Sequence, residues 1–177
     1  MKNNFIKKYA KDNHLTILQY DEERHWGGYY IFEECQEYDR KILWLKPHAC
    51  LSLQYHGAPD RPGHHEEGEG LTDMILALGK EDMTHEDPTT VYEKVPSDVQ
   101  LLKLQKGEKF FTPSGVLHAY INPFDYDIYL LETRISHIPE KSHERESNIT
   151  RIYDTSMRWG VPNWPEWLQE KINTLRN

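Results

Sequence analysis

Between Tyr29 and Thr133 short apolar runs alternate with turn signals, and residues 51–56, Leu-Ser-Leu-Gln-Tyr-His, show the pattern most plainly. In a strand, successive side chains point to opposite faces. Leu51, Leu53 and Tyr55 therefore share one face, and Ser52, Gln54 and His56 share the other. The same reading predicts strands over Tyr29–Glu34, Lys41–Leu45, Leu51–His56, Thr72–Leu78, Val99–Leu104, Lys109–Thr112, Val116–Ile121 and Ile128–Thr133. Lys-Pro-His-Ala, Gly-Ala-Pro-Asp-Arg-Pro-Gly, Gln-Lys-Gly-Glu, Pro-Ser-Gly and Ile-Asn-Pro-Phe-Asp supply the turns between them. Many short strands with regular turns predict an all-β sandwich or barrel.

The ends and two interior stretches depart from this rhythm. Residues 3–12 predict a short helix with Phe5, Ile6 and Tyr9 on one side. The last segment, from Asn163, predicts a helix with Pro165 in its first turn. Its stripe of Trp164, Trp167, Leu168, Ile172 and Leu175 is a docking face for the sheet. Lys80–Pro96 is polar and acidic and reads as a surface insertion, and 136–147 as a second long polar loop. The expected division is one domain over 1–177: an extension (1–25), a barrel core (26–135), a loop with an Arg-bearing segment (136–160) and a helix (161–177).

The net charge of −8 disfavours a phosphate backbone or an anionic lipid surface as partner. A small neutral or anionic substrate remains open, because a local basic patch can override the global sign. Cys35 and Cys50 are too few for a thiolate metal site. The N-terminal residues lack the apolar core of a secretory leader, and no apolar run approaches the ~20 residues that span a bilayer. The expectation is a cytoplasmic protein, monomer or homodimer, with a small-molecule partner.

Chemistry concentrates in residues 107–122, Gly-Glu-Lys-Phe-Phe-Thr-Pro-Ser-Gly-Val-Leu-His-Ala-Tyr-Ile-Asn. Gly107, Pro113, Gly115, His118 and Asn122 stand at the spacing of the second sequence motif of the cupin superfamily, which this segment resembles. That resemblance implies a double-stranded β-helix (jelly roll), flanked by the short N- and C-terminal helices that the residue pattern predicts, and makes His118 a metal ligand. In cupins an earlier strand supplies two His at i and i+2. Here those positions are Gln54 and His56, roughly 6–7 Å apart on one strand face. A carboxamide oxygen is harder than an imidazole but suits a borderline divalent ion.

The chain also resembles the type I phosphomannose isomerases, reduced to their catalytic cupin core. Leu-Ser-Leu-Gln-Tyr-His is similar to that family's zinc-binding strand, and Gly70–Leu76 to the stretch bearing its liganding Glu, here Asp73. Tyr129–Thr133 is similar to the segment with an acidic active-site residue, here Glu132. Asn148–Asp154 is similar to a Thr-x-Arg-x-Tyr-Asp run whose Arg acts in catalysis, here Arg151. The resemblance implies Zn²⁺, or another divalent ion, on Gln54, His56, Asp73 and His118. It also implies an aldose–ketose isomerase passing through a cis-enediol, with Glu132 as base and Arg151 orienting the substrate. The substrate implied is mannose 6-phosphate with fructose 6-phosphate, or a related sugar, phosphorylated or free.

Two departures leave alternatives open. The family's Lys beside the acidic ligand is Leu71 here, and the ligand Glu is the shorter Asp73. A non-catalytic metal-dependent sugar-binding cupin, an Fe(II) oxygenase and a purely structural cupin are the other readings, Gln54 arguing against the oxygenase. His64, His65, Glu66 and Glu67 form a rival source of ligands close after His56.

Overall fold

Alternation along the strands sorts the side chains into an interior and two outer faces. The computed structural model describes residues 3–59, 63–139 and 148–175. A helix α1 (Asn4–Asp12) comes first, followed by β1 (Gln19–Arg24), β2 (Gly27–Glu34), β3 (Tyr38–Leu45), β4 (Leu53–His56), β5 (His64–Gly70) and β6 (Met74–Asp82). Then come α2 (Pro88–Asp98), β7 (Gln100–Leu104), β8 (Lys109–Thr112), β9 (Val116–Ile121), β10 (Ile128–Ser136), β11 (Ile149–Tyr153) and α3 (Glu166–Thr174). One sheet runs β1-β2-β3-β10-β5-β8 and the other β11-β4-β9-β6-β7, with neighbours antiparallel throughout. The predicted all-β jelly roll with flanking helices is the fold observed.

Three apolar clusters follow from the strand periodicity. Between the sheets lie Leu43, Leu45, Met74, Leu76, Phe110, Tyr120, Ile128 and Leu130. Outside the six-stranded sheet, Ile6 and Ala10 of α1 pack on Tyr30, Phe32, Ile42 and Tyr129. Outside the five-stranded sheet, α2 and α3 bury Val91, Val95, Leu168 and Ile172 against Leu53, Tyr55, Ile75, Ala77 and Leu117. The α3 stripe therefore docks on the sheet, as its spacing predicts. No helix among the described residues is long and apolar enough to cross a membrane.

The polar stretch 80–96 is not mere surface decoration. It finishes β6 and builds most of α2, with Asp87 accepting from Thr89 N as N-cap. Met83, Val91 and Val95, fully buried, anchor it to the sheet. Leu51 also departs from expectation: regular pairing in β4 starts at Leu53, so the alternation breaks and Leu51 packs in the interior cluster instead. Strands β1 and β5 carry too much polarity to be read as strands from sequence, and β11, Ile-Thr-Arg-Ile-Tyr, falls within the segment read only as Arg-bearing; β1 and β11 lie outside residues 26–135.

Two glycines have work that a side chain would spoil. Gly115 turns β8 into β9 at φ +80°, in the left-handed region. Gly68 faces the interior, where an added Cβ would lie 2.2 Å from the Phe110 ring and 2.5 Å from the Leu131 carbonyl oxygen. Its bare surface lets Phe110 fill the barrel.

Leu168 of α3 is 1% exposed, packed in the cluster outside the five-stranded sheet. Leu168→Ala is expected to cost about 2–5 kcal/mol in urea unfolding, because the rigid sheet beneath cannot collapse into the gap.

Candidate metal centre

Four side chains from both sheets meet inside the barrel. His56 comes from β4 and His118 from β9, strands paired at Gln54 and His118. His64 and Glu66 come from β5 in the opposite sheet, two residues apart and therefore on one face. His56 Nε2 lies 3.0 Å from Glu66 Oε1 and 3.1 Å from His118 Nε2. His118 Nε2 lies 3.3 Å from Glu66 Oε2, and His64 Nε2 lies 3.8 Å from Glu66 Oε1. Ligand atoms of His56, His64 and Glu66 all fall within 4.8 Å of one another.

The chemistry of this group fits a bound divalent ion. All four residues are at most 2% exposed. Among the described residues, both ring nitrogens of His64, and Nδ1 of His56, are buried without a hydrogen-bond partner, which costs about 1–3 kcal/mol per group unless something else takes the lone pair. Tetrahedral ligands 2.0–2.1 Å from zinc stand about 3.3 Å apart, close to the donor spacings here. Outer contacts fix the orientation: His118 Nδ1 lies 2.9 Å from the Val116 carbonyl oxygen, its hydrogen-bond acceptor, leaving Nε2 for the site, and Tyr120 donates to Glu66 Oε2 at 2.5 Å.

Electrostatics divide the roles. Burial holds the His56 imidazole well below its ordinary pKa, with His64 reinforcing the shift, and burial likewise lowers His64. Both rings are thus neutral, with lone pairs to give. Burial alone would raise Glu66 and lower His118. Their mutual attraction, with the further imidazole contacts on Glu66, outweighs it: Glu66 falls well below the carboxylate range and His118 rises.

The residues expected from sequence are only partly brought together. His56 and His118 stand at the centre. Gln54 shares their inward face and lines the same cavity, but its Oε1 accepts from Ser52 Oγ at 2.6 Å. Asp73 does not join them. It precedes β6 with the parity of the outward Ile75 and Ala77, and its Oδ1 accepts from Lys106 N at 2.9 Å, tying a turn. The carboxylate at the centre is instead Glu66, from the rival His-His-Glu-Glu run. Alternation separates that run, His64 and Glu66 pointing inward while His65 and Glu67 point out. Leu71 packs in the outer cluster beneath α1, so its position does not look into the barrel.

Above the centre opens a cavity of about 720 Å³, lined by His56, Glu66, His118, Glu132 and Arg151 among others. Glu132 is 2% exposed, and its Oε2 lies 2.6 Å from Lys41 Nζ. Burial, and then the Glu66 charge, raise the Glu132 pKa against the pull of Lys41 and Arg134. Arg151 pairs across from Gln54 on β11.

His64→Ala is expected to weaken divalent-ion binding by at least about a hundredfold, since even supporting contacts are worth 10–100-fold. Asp73→Asn should leave it unchanged; elemental analysis after dialysis against a weak chelator distinguishes the two. Because Glu66 raises the proton affinity of His118 and an ion competes with that proton, ion uptake should release protons. Affinity should fall on acidification, as calorimetry in buffers of different ionisation enthalpy would show.

No family model matches the sequence. The chain is 27% identical over 132 residues to the xanthan biosynthesis protein XanB of Xanthomonas campestris pv. campestris (strain B100), covering 75% of this chain and 22% of XanB. It thus spans about a fifth of that relative's length. Among solved structures it is similar to the capsular polysaccharide assembling protein CapF from Staphylococcus aureus (TM-score 0.52, 11% identity, 77% of this chain and 34% of that one). It is also similar to an oxalate oxidase bound to the substrate analogue glycolate (TM-score 0.52, 12% identity, 88% and 75%). With two antiparallel sheets closed around a buried His/Glu centre, the chain has the cupin fold.

Proposed function

We propose that this protein is a metal-dependent aldose–ketose isomerase acting on a sugar or sugar phosphate, mannose 6-phosphate with fructose 6-phosphate being the pair the sequence resemblance favours. The observation that carries the reading is the juxtaposition of a buried three-His, one-Glu centre with Glu132 and Arg151 on the wall of one cavity. Likeness to a xanthan biosynthesis protein supports a sugar as substrate. Arg151 on the cavity wall supports an anionic group on that sugar.

His56, His64, Glu66 and His118 would hold the ion, with Gln54 beside them. Zn²⁺ suits imidazole and carboxylate donors, and when bound it supplies Lewis-acid polarisation of the carbonyl. Glu132, with its raised pKa, is the base for the carbon-bound proton. Arg151, always cationic, orients the substrate and balances charge that develops on oxygen.

One observation favours a second reading. With His64 and Glu66 in place of Asp73, the donor set is three imidazoles and one carboxylate, a set that redox-active ions also accept. Oxygen-dependent turnover by an iron- or manganese-loaded protein would select that reading.

The test is elemental analysis of the purified protein, followed by NMR of free and phosphorylated aldoses for appearance of the ketose. His118→Ala should lose ion and turnover together. Arg151→Ala should keep the ion while turnover falls at least about tenfold; full activity in that variant would remove Arg151 from the mechanism.

A further inference from the structure

Position 71 offers no lysine to the site, yet the barrel holds one from a different strand. β3 and β10 pair with Lys41 directly opposite Glu132 and Asp39 directly opposite Arg134. All four side chains share the inward parity of Leu43, Leu45, Ile128 and Leu130. Lys41 is 9% exposed, and with Glu132 it lines the same cavity as His56 and His118.

The two cross-strand pairs differ in kind. Arg134 grips Asp39 through Nε at 3.0 and 3.2 Å and through Nη2 at 2.8 Å. That pair ties the two strands together with a guanidinium that keeps its protons. Lys41 Nζ lies 2.6 Å from Glu132 Oε2, and these two groups can each exchange a proton. A second buried ion pair is an expensive way to pin strands already pinned.

We propose that Lys41 is a catalytic residue of this site, moving the oxygen-bound proton of the sugar while Glu132 moves the carbon-bound one; this rests on the isomerase reading. From the aldose, Glu132 takes the proton from C2. The C2–H electron pair becomes the C1=C2 bond, the C1=O π pair moves onto O1, and O1 takes a proton from Lys41 Nζ. In the second half the O2 proton passes to Lys41 and C2=O forms. The C1=C2 pair then takes the proton from Glu132 at C1. Both side chains end as they began, and no external oxidant or reductant is needed.

Lys41→Ala should lower kcat about 10²–10⁴-fold with ion content unchanged, and added ethylamine should restore at least tenfold of the loss. Lys41→Arg, which keeps charge without a transferable proton, should stay as slow as Lys41→Ala. A second measurement does not depend on turnover or on the ion. In protein reductively methylated with ¹³C, the Lys41 signal, assigned by its absence in Lys41→Arg, should shift when the aldose is added to metal-free protein. The proposal is overturned if Lys41→Ala works within threefold of wild type. It is equally overturned if the folded, metal-loaded variant ignores ethylamine, or if the methyl signal does not move. A wild type that converts no aldose removes the isomerase reading, and this proposal with it.

Discussion

A carboxylate buried between two sheets constrains the whole barrel. Glu66 is 2% exposed, and an ionised carboxylate at that depth costs several kcal/mol unless partners surround it. The partners come from both sheets: His56 and His118 from β4 and β9, His64 from its own strand, and Tyr120 two residues beyond His118. Slipping any of these strands by one residue would turn its contributor to the other face and strand the charge. The pairing of Gln54 with His118, and of Glu66 with Thr112 and Arg134, is thus held by electrostatics as well as by hydrophobic alternation.

That constraint divides the interior. Along β3 the inward side chains run Asp39, Lys41, Leu43, Leu45, and along β10 they run Arg134, Glu132, Leu130, Ile128 in facing register. One end of the barrel is therefore a dry core and the other a charged wall. Phe110, admitted by the bare Gly68, packs in the apolar cluster with Tyr120. Tyr120 belongs to both regions: its ring packs with Phe110, and its hydroxyl holds Glu66. The apolar end provides stability, so the charged end is free to keep groups whose burial would otherwise count against the fold.

What could be read from sequence was whatever rested on local periodicity or fixed spacing. The eight apolar strands, α1, the docking stripe of α3 and the inward set of Gln54, His56 and His118 all have that character. β5 was illegible as a strand because His-His-Glu-Glu-Gly-Glu-Gly has neither apolar alternation nor β-branched residues. Its burial comes from ion pairing across the barrel, which no local window contains. Asp73 was misplaced for a related reason: a resemblance carries residue type, whereas strand parity decides which face the residue takes. Position 71 fails on the same count, since it lies beneath α1. Lys41 went unnoticed because a lone lysine before Ile-Leu-Trp-Leu looks like the polar start of a strand. Its meaning depends on Glu132, 91 residues later in the chain, facing it across β3 and β10.

The two buried carboxylates show how one barrel sets up two kinds of chemistry. Glu66 and Glu132 are equally buried, and burial pushes both toward the neutral form. For Glu66 the contest is won by His118 and the imidazoles around it, and the group stays an anion fit to bind a cation. For Glu132 the Glu66 charge adds to burial, and the cations Lys41 and Arg134 only partly offset them, so its affinity for a proton stays raised. Environments that drive two like groups apart assign their roles: the one held low supports an ion, and the one held high can take a proton and return it. The separation depends on the first carboxylate keeping its charge. Neutralising Glu66 would release the imidazoles and also remove one of the causes that hold Glu132 high. In the proposed reaction, ion binding and proton transfer would therefore be coupled through the field of a single side chain.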